Sequence, residues 1–251
     1  MSDLEHKRLN QEAKDRLTTP ERRKEISKIS DYFAMRVAGC KHTTPELLAE
    51  LSQHESSFVR WHVAEHANTP VETLTSLSRD KNGIVVKYVA ENPNTPADIL
   101  RNLATHEFWG VRLELAERKD IALDLLVLLS GDVHSEVRSK IARRTDLPTD
   151  VLEKLCFDNE THVRWSAISN PEVPLKILEQ VAKDPSQTIR GCVASHQKIP
   201  SHLQRQLSND PSILVQERLS ENSIVLEEII EEIASKQIRL MFGDIPYICS
   251  K

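Results

Sequence analysis

The chain of 251 residues is poor in the residues that build sheets and sharp turns, with six glycines and only 4% aromatic residues. Leu, Val, Ile, Ala, Glu, Lys and Arg dominate instead, a composition that favours helices over strands. Cysteines are few as well. Cys40, Cys156, Cys192 and Cys249 lie far apart with no CxxC pair, which argues against a disulfide framework and against a zinc knuckle. No stretch approaches the roughly 18 apolar residues of a membrane span, and the charged segment from Met1 to Arg16 lacks the apolar core of a signal peptide. The expectation is a cytoplasmic protein with reduced thiols and no membrane partner. Excess positive charge is also missing: the net charge is −5, whereas a dedicated nucleic-acid module is usually basic over the whole domain. A glycine-rich phosphate loop, HExxH, GxSxG and a nucleophile–base constellation are absent too, so the sequence offers no support for catalysis.

What the chain does have is a period. The apolar residues Phe33, Val59, Val85, Val111, Val137, Val163, Ile189 and Val215 open eight units of 26 residues with no insertion. Four residues on stand Val37, Val63, Val89, Leu115, Ile141, Ala167, Val193 and Leu219, each followed by a small residue in most units, as at Ala38, Ala64 and Ala90. This i, i+4, i+5 spacing places the columns on one helical face. A turn follows, often with Pro (Pro70, Pro96, Pro148, Pro174, Pro200), and Thr69 and Thr95 precede two of these. Thr-Pro predicts the start of a second helix, Thr capping an orphan N–H and Pro standing at N1. Apolar pairs at i, i+3, such as Leu74/Leu77, Leu100/Leu103 and Leu152/Leu155, then mark that helix's buried side. Neither helix can bury its face alone, so successive units must stack. The predicted fold is an all-α, right-handed α-solenoid of about eight two-helix repeats spanning residues 33–236. Residues 1–32 are expected to form an N-terminal helical cap and residues 237–251 a C-terminal cap or tail.

The stretch VVKYVAENPNTPADILRNL from Val85 to Leu103 resembles the leucine-rich repeat variant family, whose units run V-R-x-x-V-A-x-N-P-x-T-P-x-x-x-L-x-x-L. VRWHVAEHANTPVETLTSL from Val59 and VRWSAISNPEVPLKIL from Val163 echo the same pattern. The resemblance covers about residues 33–222 and implies stacked helical layers related in style to HEAT and armadillo repeats. Some relatives carry an N-terminal iron–sulfur cysteine cluster. Residues 1–32 contain no cysteine, so no cofactor is expected here. The family has no agreed activity, and the resemblance therefore leaves function open.

Candidate functional residues are the decorations of the repeat. Arg60, Arg112, Arg138, Arg164 and Arg190 follow the opening residue in five of eight units. Such a stripe could bind phosphates or an acidic partner. However, Asp132, Asp158 and Asp184 precede three of these arginines by six residues, which favours structural pairing. Arg60 and Arg112 follow His54 and His106 instead, leaving these two as the more available. Trp61 and Trp165 share the position after the arginine, and Trp109 lies near the start of its unit. Tryptophans beside arginines suit either an interface or the seam between units. Arg143 and Arg144, with Arg118 and Lys119 one repeat earlier, form a basic patch at the end of the first helix. His62 and His66, with Cys40 one repeat before His66, were the nearest thing to a metal site. They lack a fourth ligand, and no metal is expected.

Two functional readings follow. The first is a non-enzymatic binding scaffold whose curved inner surface takes a protein or peptide partner, with Trp61, Trp109, Trp165, Arg60, Arg112, Arg118, Arg143 and Arg144 as the binding residues. The alternative is nucleic-acid binding or repair through an Arg/Trp-lined groove. A third element, the apolar tail holding Met241, Phe242, Ile245, Tyr247 and Ile248, is expected to cap the last unit or to dock elsewhere.

Overall fold

A computed structural model describes residues 1–242, with side chains as far as Ile238. Among the described residues there are eighteen helices and no strand. They fall into two compact units, Met1–Leu129 and Ser130–Lys251.

The first unit holds α1 (Asp3–Lys14), α2 (Pro20–Ser27), α3 (Asp31–Ala38), α4 (Pro45–Leu51), α5 (Ser57–Glu65), α6 (Val71–Leu77), α7 (Gly83–Glu91), α8 (Ala97–Leu103), α9 (Trp109–Glu117) and α10 (Leu123–Leu129). First helices stack on first helices, α3 on α5, α5 on α7 and α7 on α9. Their opening columns are fully sealed: Phe33, Val59, Val85 and Val111 are buried, as are Val37, Val63, Val89 and Leu115. The second unit repeats the pattern with α11 (Ser135–Ala142), α12 (Thr149–Cys156), α13 (Thr161–Ile168), α14 (Leu175–Val181), α15 (Gln187–Ala194), α16 (Ser201–Leu207), α17 (Ile213–Ser220) and α18 (Glu227–Phe242). Here α11, α13, α15 and α17 form the stack. The fold class is an α-solenoid of 26-residue repeats, and helices of seven to nine residues hold their shape because every apolar stripe is covered by a neighbour.

One detail differs from the sequence reading. Thr69 and Thr95 do not cap the second helix. Each is buried and donates its hydroxyl back to the carbonyl of Val63 or Val89, both at 2.5 Å, and so satisfies an orphan acceptor where the first helix ends. Pro70 and Pro96 then stand at the N-cap. Only Thr19 and Thr44 cap in the expected way, accepting from the N–H of Arg22 and Leu47, each with Pro at N1. Residues 1–32 form a helix pair, α1 and α2, both packed on α3. Of the C-terminal segment, Gln237–Phe242 completes α18. Gly243–Lys251, with Ile245, Tyr247 and Ile248, lies outside the described residues.

Candidate functional site

The arginine column belongs to the stack. Arg138 places Nε and Nη2 on the two oxygens of Asp158, twenty residues ahead, at 2.6 and 2.8 Å, while Nη1 donates to the carbonyl of Asp132 at 2.8 Å. Arg164 and Arg190 repeat this with Asp184 and Asp210. The aspartate six residues before an arginine thus contributes its carbonyl, and its carboxylate serves the arginine of the preceding repeat. Burial by itself would raise the carboxyls of Asp80, Asp158 and Asp210, but the guanidinium fork and a backbone N–H outweigh it and hold all three below the ordinary carboxylate range.

Arg60 is therefore held rather than available. It grips Asp80 through Nε at 2.5 Å and Nη2 at 2.9 Å, gives Nη1 to the carbonyls of His54 and Glu55, and is 8% exposed. Arg112 is equally buried and donates Nη1 to the carbonyls of His106 and Glu107. His54 and His106 stand where other repeats have aspartate, and Nδ1 of each accepts the N–H two residues on, as the carboxylate does.

A second column was missed from sequence. Cys40, His66, Asn92 and Arg118 in the first unit, and Asn170, His196 and Asn222 in the second, each reach back one repeat to the carbonyls that end the preceding first helix. Asn92 donates to Ala64 and His66, and Asn170 to Ala142 and Arg144. This column absorbs two candidates. Nδ1 of His66 accepts the Asn68 N–H at 3.0 Å, so Nε2 carries the proton and donates to Cys40 O at 2.9 Å, which leaves no lone pair for a metal. Arg118, likewise buried, donates to Ala90 and Asn92 and forks onto Asp120. Arg144 forks onto Asp146. The signal was in the sequence, as residues able to donate a hydrogen bond spaced 26 apart, but it was masked because cysteine, histidine, asparagine and arginine perform one task there.

The tryptophans separate into three environments. Trp61 is half-buried in a cluster with Phe58, His62 and Tyr88, its ring 5.0 Å from Tyr88 and nearly perpendicular to it, which covers the seam between α5 and α7. Trp109 starts α9 beside Phe108. Trp165, on α13, is 42% exposed and lies beneath Arg143, whose guanidinium carbon is 5.8 Å from the ring centroid. Arg143 donates Nε to Ser166 Oγ at 3.2 Å and has no carboxylate partner among the described residues.

Trp165 also forms one wall of a groove of about 560 Å³ in the second unit, along α13, α15 and α17, where Gly191, Cys192, Leu214 and Arg218 complete the lining. A groove of about 700 Å³ lies in the first unit on equivalent positions: Met35, Gly39, His62 and His66 correspond, five repeats earlier, to Trp165, Ser169, Cys192 and His196. In both units the open surface is thus the exposed face of the first helices. Burial pushes the Cys192 thiol up to about 11 and lowers the imidazoles of His62 and His196. Among the described residues no group of three or more potential ligands could hold a metal ion.

No protein-family profile matches the chain, and no curated protein matches it. Among solved structures it is similar to a leucine-rich repeat variant described as having a novel repetitive protein structural motif, at 24% identity and a TM-score of 0.66, over 83% of this chain and 87% of that one. An engineered protein (16% identity, TM-score 0.24, 94% and 98% coverage) and computationally designed armadillo repeat proteins for modular peptide recognition (15%, 0.17, 92% and 98%) also match but do not superpose closely. The chain therefore has the helical-repeat fold of a leucine-rich repeat variant.

Proposed function

We propose that the protein is a non-enzymatic binding scaffold that takes a protein or peptide segment on the exposed face of its first helices. The observation that carries this reading is the groove beside Trp165. There an exposed indole, an arginine without a carboxylate partner and an open channel meet on one face, while the other conspicuous polar residues serve the stack. Partly exposed aromatics next to arginine are the side chains that dominate interface energetics. Nucleic acid is the weaker reading. Arg60, Arg118, Arg138, Arg144, Arg164 and Arg190 are neutralised by aspartates, and a phosphate backbone needs several free cations to bind well.

A photo-crosslinking residue placed at Thr188, on the groove, against one at Gln180, on the second helix α14, tests the reading in native lysate. Capture of defined proteins at 188 but not at 180, reduced by Trp165→Ala with Arg143→Ala, is the expected result. Equal capture at both positions would sink it, and strong binding of duplex or single-stranded DNA at low salt would favour the alternative.

A further inference from the structure

Gly191 occupies the fifth position of the eight-residue α15, in the interior of a helix, where glycine is less stable than any residue with a side chain except proline. Packing elsewhere explains such glycines: a Cβ on Gly83 or Gly110 would come within 2.8 Å of the Phe108 ring. Nothing comparable applies at Gly191. A Cβ there meets only the Cγ of Arg218, at 3.6 Å, which is ordinary contact. The equivalent positions in other repeats carry Met35, Trp61, Lys87, Leu113, Ser139, Trp165 and Glu217. The missing side chain is what opens the groove between Trp165 on one side and Leu214 with Arg218 on the other.

The charge of that groove has one sign. Arg218 and Lys198 line it, Arg143 lies over its tryptophan, and no carboxylate is part of the lining; Glu217 on α17 and Glu221 at its C-cap stand outside it. Lys198 is tied to the carbonyl of Pro171, and His196 is buried with its Nε2 on the carbonyl of Asn170 and its pKa lowered by that burial. Arg218, however, has no hydrogen-bond or ion-pair partner among the described residues, in a unit where Arg138, Arg144, Arg164, Arg190 and Arg205 are all paired with acids. Two guanidiniums without carboxylates thus flank the space over Gly191, between Trp165 and Leu214.

We infer that this groove binds an acidic peptide segment, one apolar or aromatic side chain filling the slot over Gly191 against Trp165 and Leu214, with carboxylates on either side meeting Arg143 and Arg218. This rests on the reading of the first-helix face as the binding face and names the partner's chemistry. A peptide fits better than a nucleic acid because the slot is floored by Leu214 and glycine and offers few free cations.

The test uses the full chain carrying Cys249→Ser and three fluorescein-labelled probes: a Glu/Asp-rich peptide with one central Phe, its Lys/Arg-rich counterpart with the same Phe, and a single-stranded oligonucleotide. The acidic peptide should bind in an anisotropy titration, more weakly as salt is raised. Arg218→Ala or Arg143→Ala should each lower its affinity about tenfold, and Gly191→Leu, which fills the slot, should abolish binding while the helical circular dichroism is unchanged. As a readout that needs no substitution in the groove, the peptide should slow iodoacetamide labelling of Cys192, since Cys40 and Cys156 are buried. The proposal is overturned if the Lys/Arg peptide or the oligonucleotide binds more tightly, if Gly191→Leu leaves the affinity unaltered, or if labelling of Cys192 is not slowed. Crosslinking at position 188 to a partner lacking an acidic segment would overturn this inference alone and leave the scaffold reading standing.

Discussion

Replacing Asp80 by alanine should destabilise the first unit by about 3 kcal/mol, the lower end of the range for stripping one partner from a buried ion pair. The carboxylate accepts three hydrogen bonds, from Arg60 Nε at 2.5 Å, Arg60 Nη2 at 2.9 Å and the Asn82 N–H at 2.9 Å. The two from the guanidinium are charge-assisted, contributing about 1.5–3 kcal/mol each. Both side chains are under a tenth exposed, so water cannot replace what is lost. The loss is nevertheless bounded, because Nη1 keeps the carbonyls of His54 and Glu55. Arg101 and Asp124 provide the control. They form an Arg–Asp pair through one Nη1 contact, with both side chains more than half exposed, and Asp124→Ala should therefore cost no more than about 1 kcal/mol. A third variant, Arg60→Leu with Asp80→Leu, removes both charges and should recover most of the deficit. Urea unfolding followed by circular dichroism reads all three. Hydrogen exchange of the Val63 and Val85 amides resolves a local opening should the repeats not melt as one. The reasoning fails if Asp80→Ala and Asp124→Ala shift the midpoint equally.

Three further outcomes follow from the same contacts. Asn170→Ala removes donors to the carbonyls of Ala142 and Arg144 and an acceptor for the Glu172 N–H, leaving buried groups unsatisfied. A loss of about 1–3 kcal/mol in urea melts is expected, and a change no larger than that of an exposed asparagine would contradict it. Gly191→Ala should stabilise α15 by about 0.5–1 kcal/mol, and a lower melting temperature would show that the space beside Arg218 is not there. Acid should loosen the ladder. Asp80, Asp158 and Asp210 have folded pKa values below the unfolded value of about 3.9, so their contribution is present above that pH and is lost as the pH falls through the lower folded values. The urea midpoint should drop below about pH 4, and by less in a chain carrying Arg138→Leu with Asp158→Leu.

The repeat itself was legible because its signal is geometric. A column such as Val59, Val85 and Val111 recurs wherever a helix must bury one face, and the structure seals those residues completely. The arginine ladder was half legible. The arginines and aspartates stand out in the sequence, but the spacing of six points to the wrong carboxylate. The nearer aspartate gives the guanidinium only its backbone carbonyl and turns its carboxylate to the N–H two residues on, whereas stacking brings up the carboxylate twenty residues ahead. The sequence does contain this pairing rule. The repeats with Ala34 and Val86 in place of arginine have His54 and His106, not aspartate, twenty residues on. Contact across a seam follows from the stacking offset, which sequence proximity does not supply.

The same distinction explains why the candidate site emerged late. Tryptophan and arginine attract notice by their chemistry, yet chemistry does not reveal which of them the stack consumes. Trp61 and Trp165 hold equivalent positions, but Phe58 and Tyr88 enclose the first, while the neighbours of the second along α15 and α17 include Gly191 and Cys192. Exposure of Trp165 is thus decided by what the next repeat omits. A glycine one repeat on from an aromatic is silent in a linear reading because its effect is the absence of atoms. In a one-dimensional stack each repeat is built mainly against its neighbours, so a residue that weakens its own helix without relieving any clash has no structural purpose within the array. The remaining physical reason for an open floor at Gly191 is a side chain that comes from outside it.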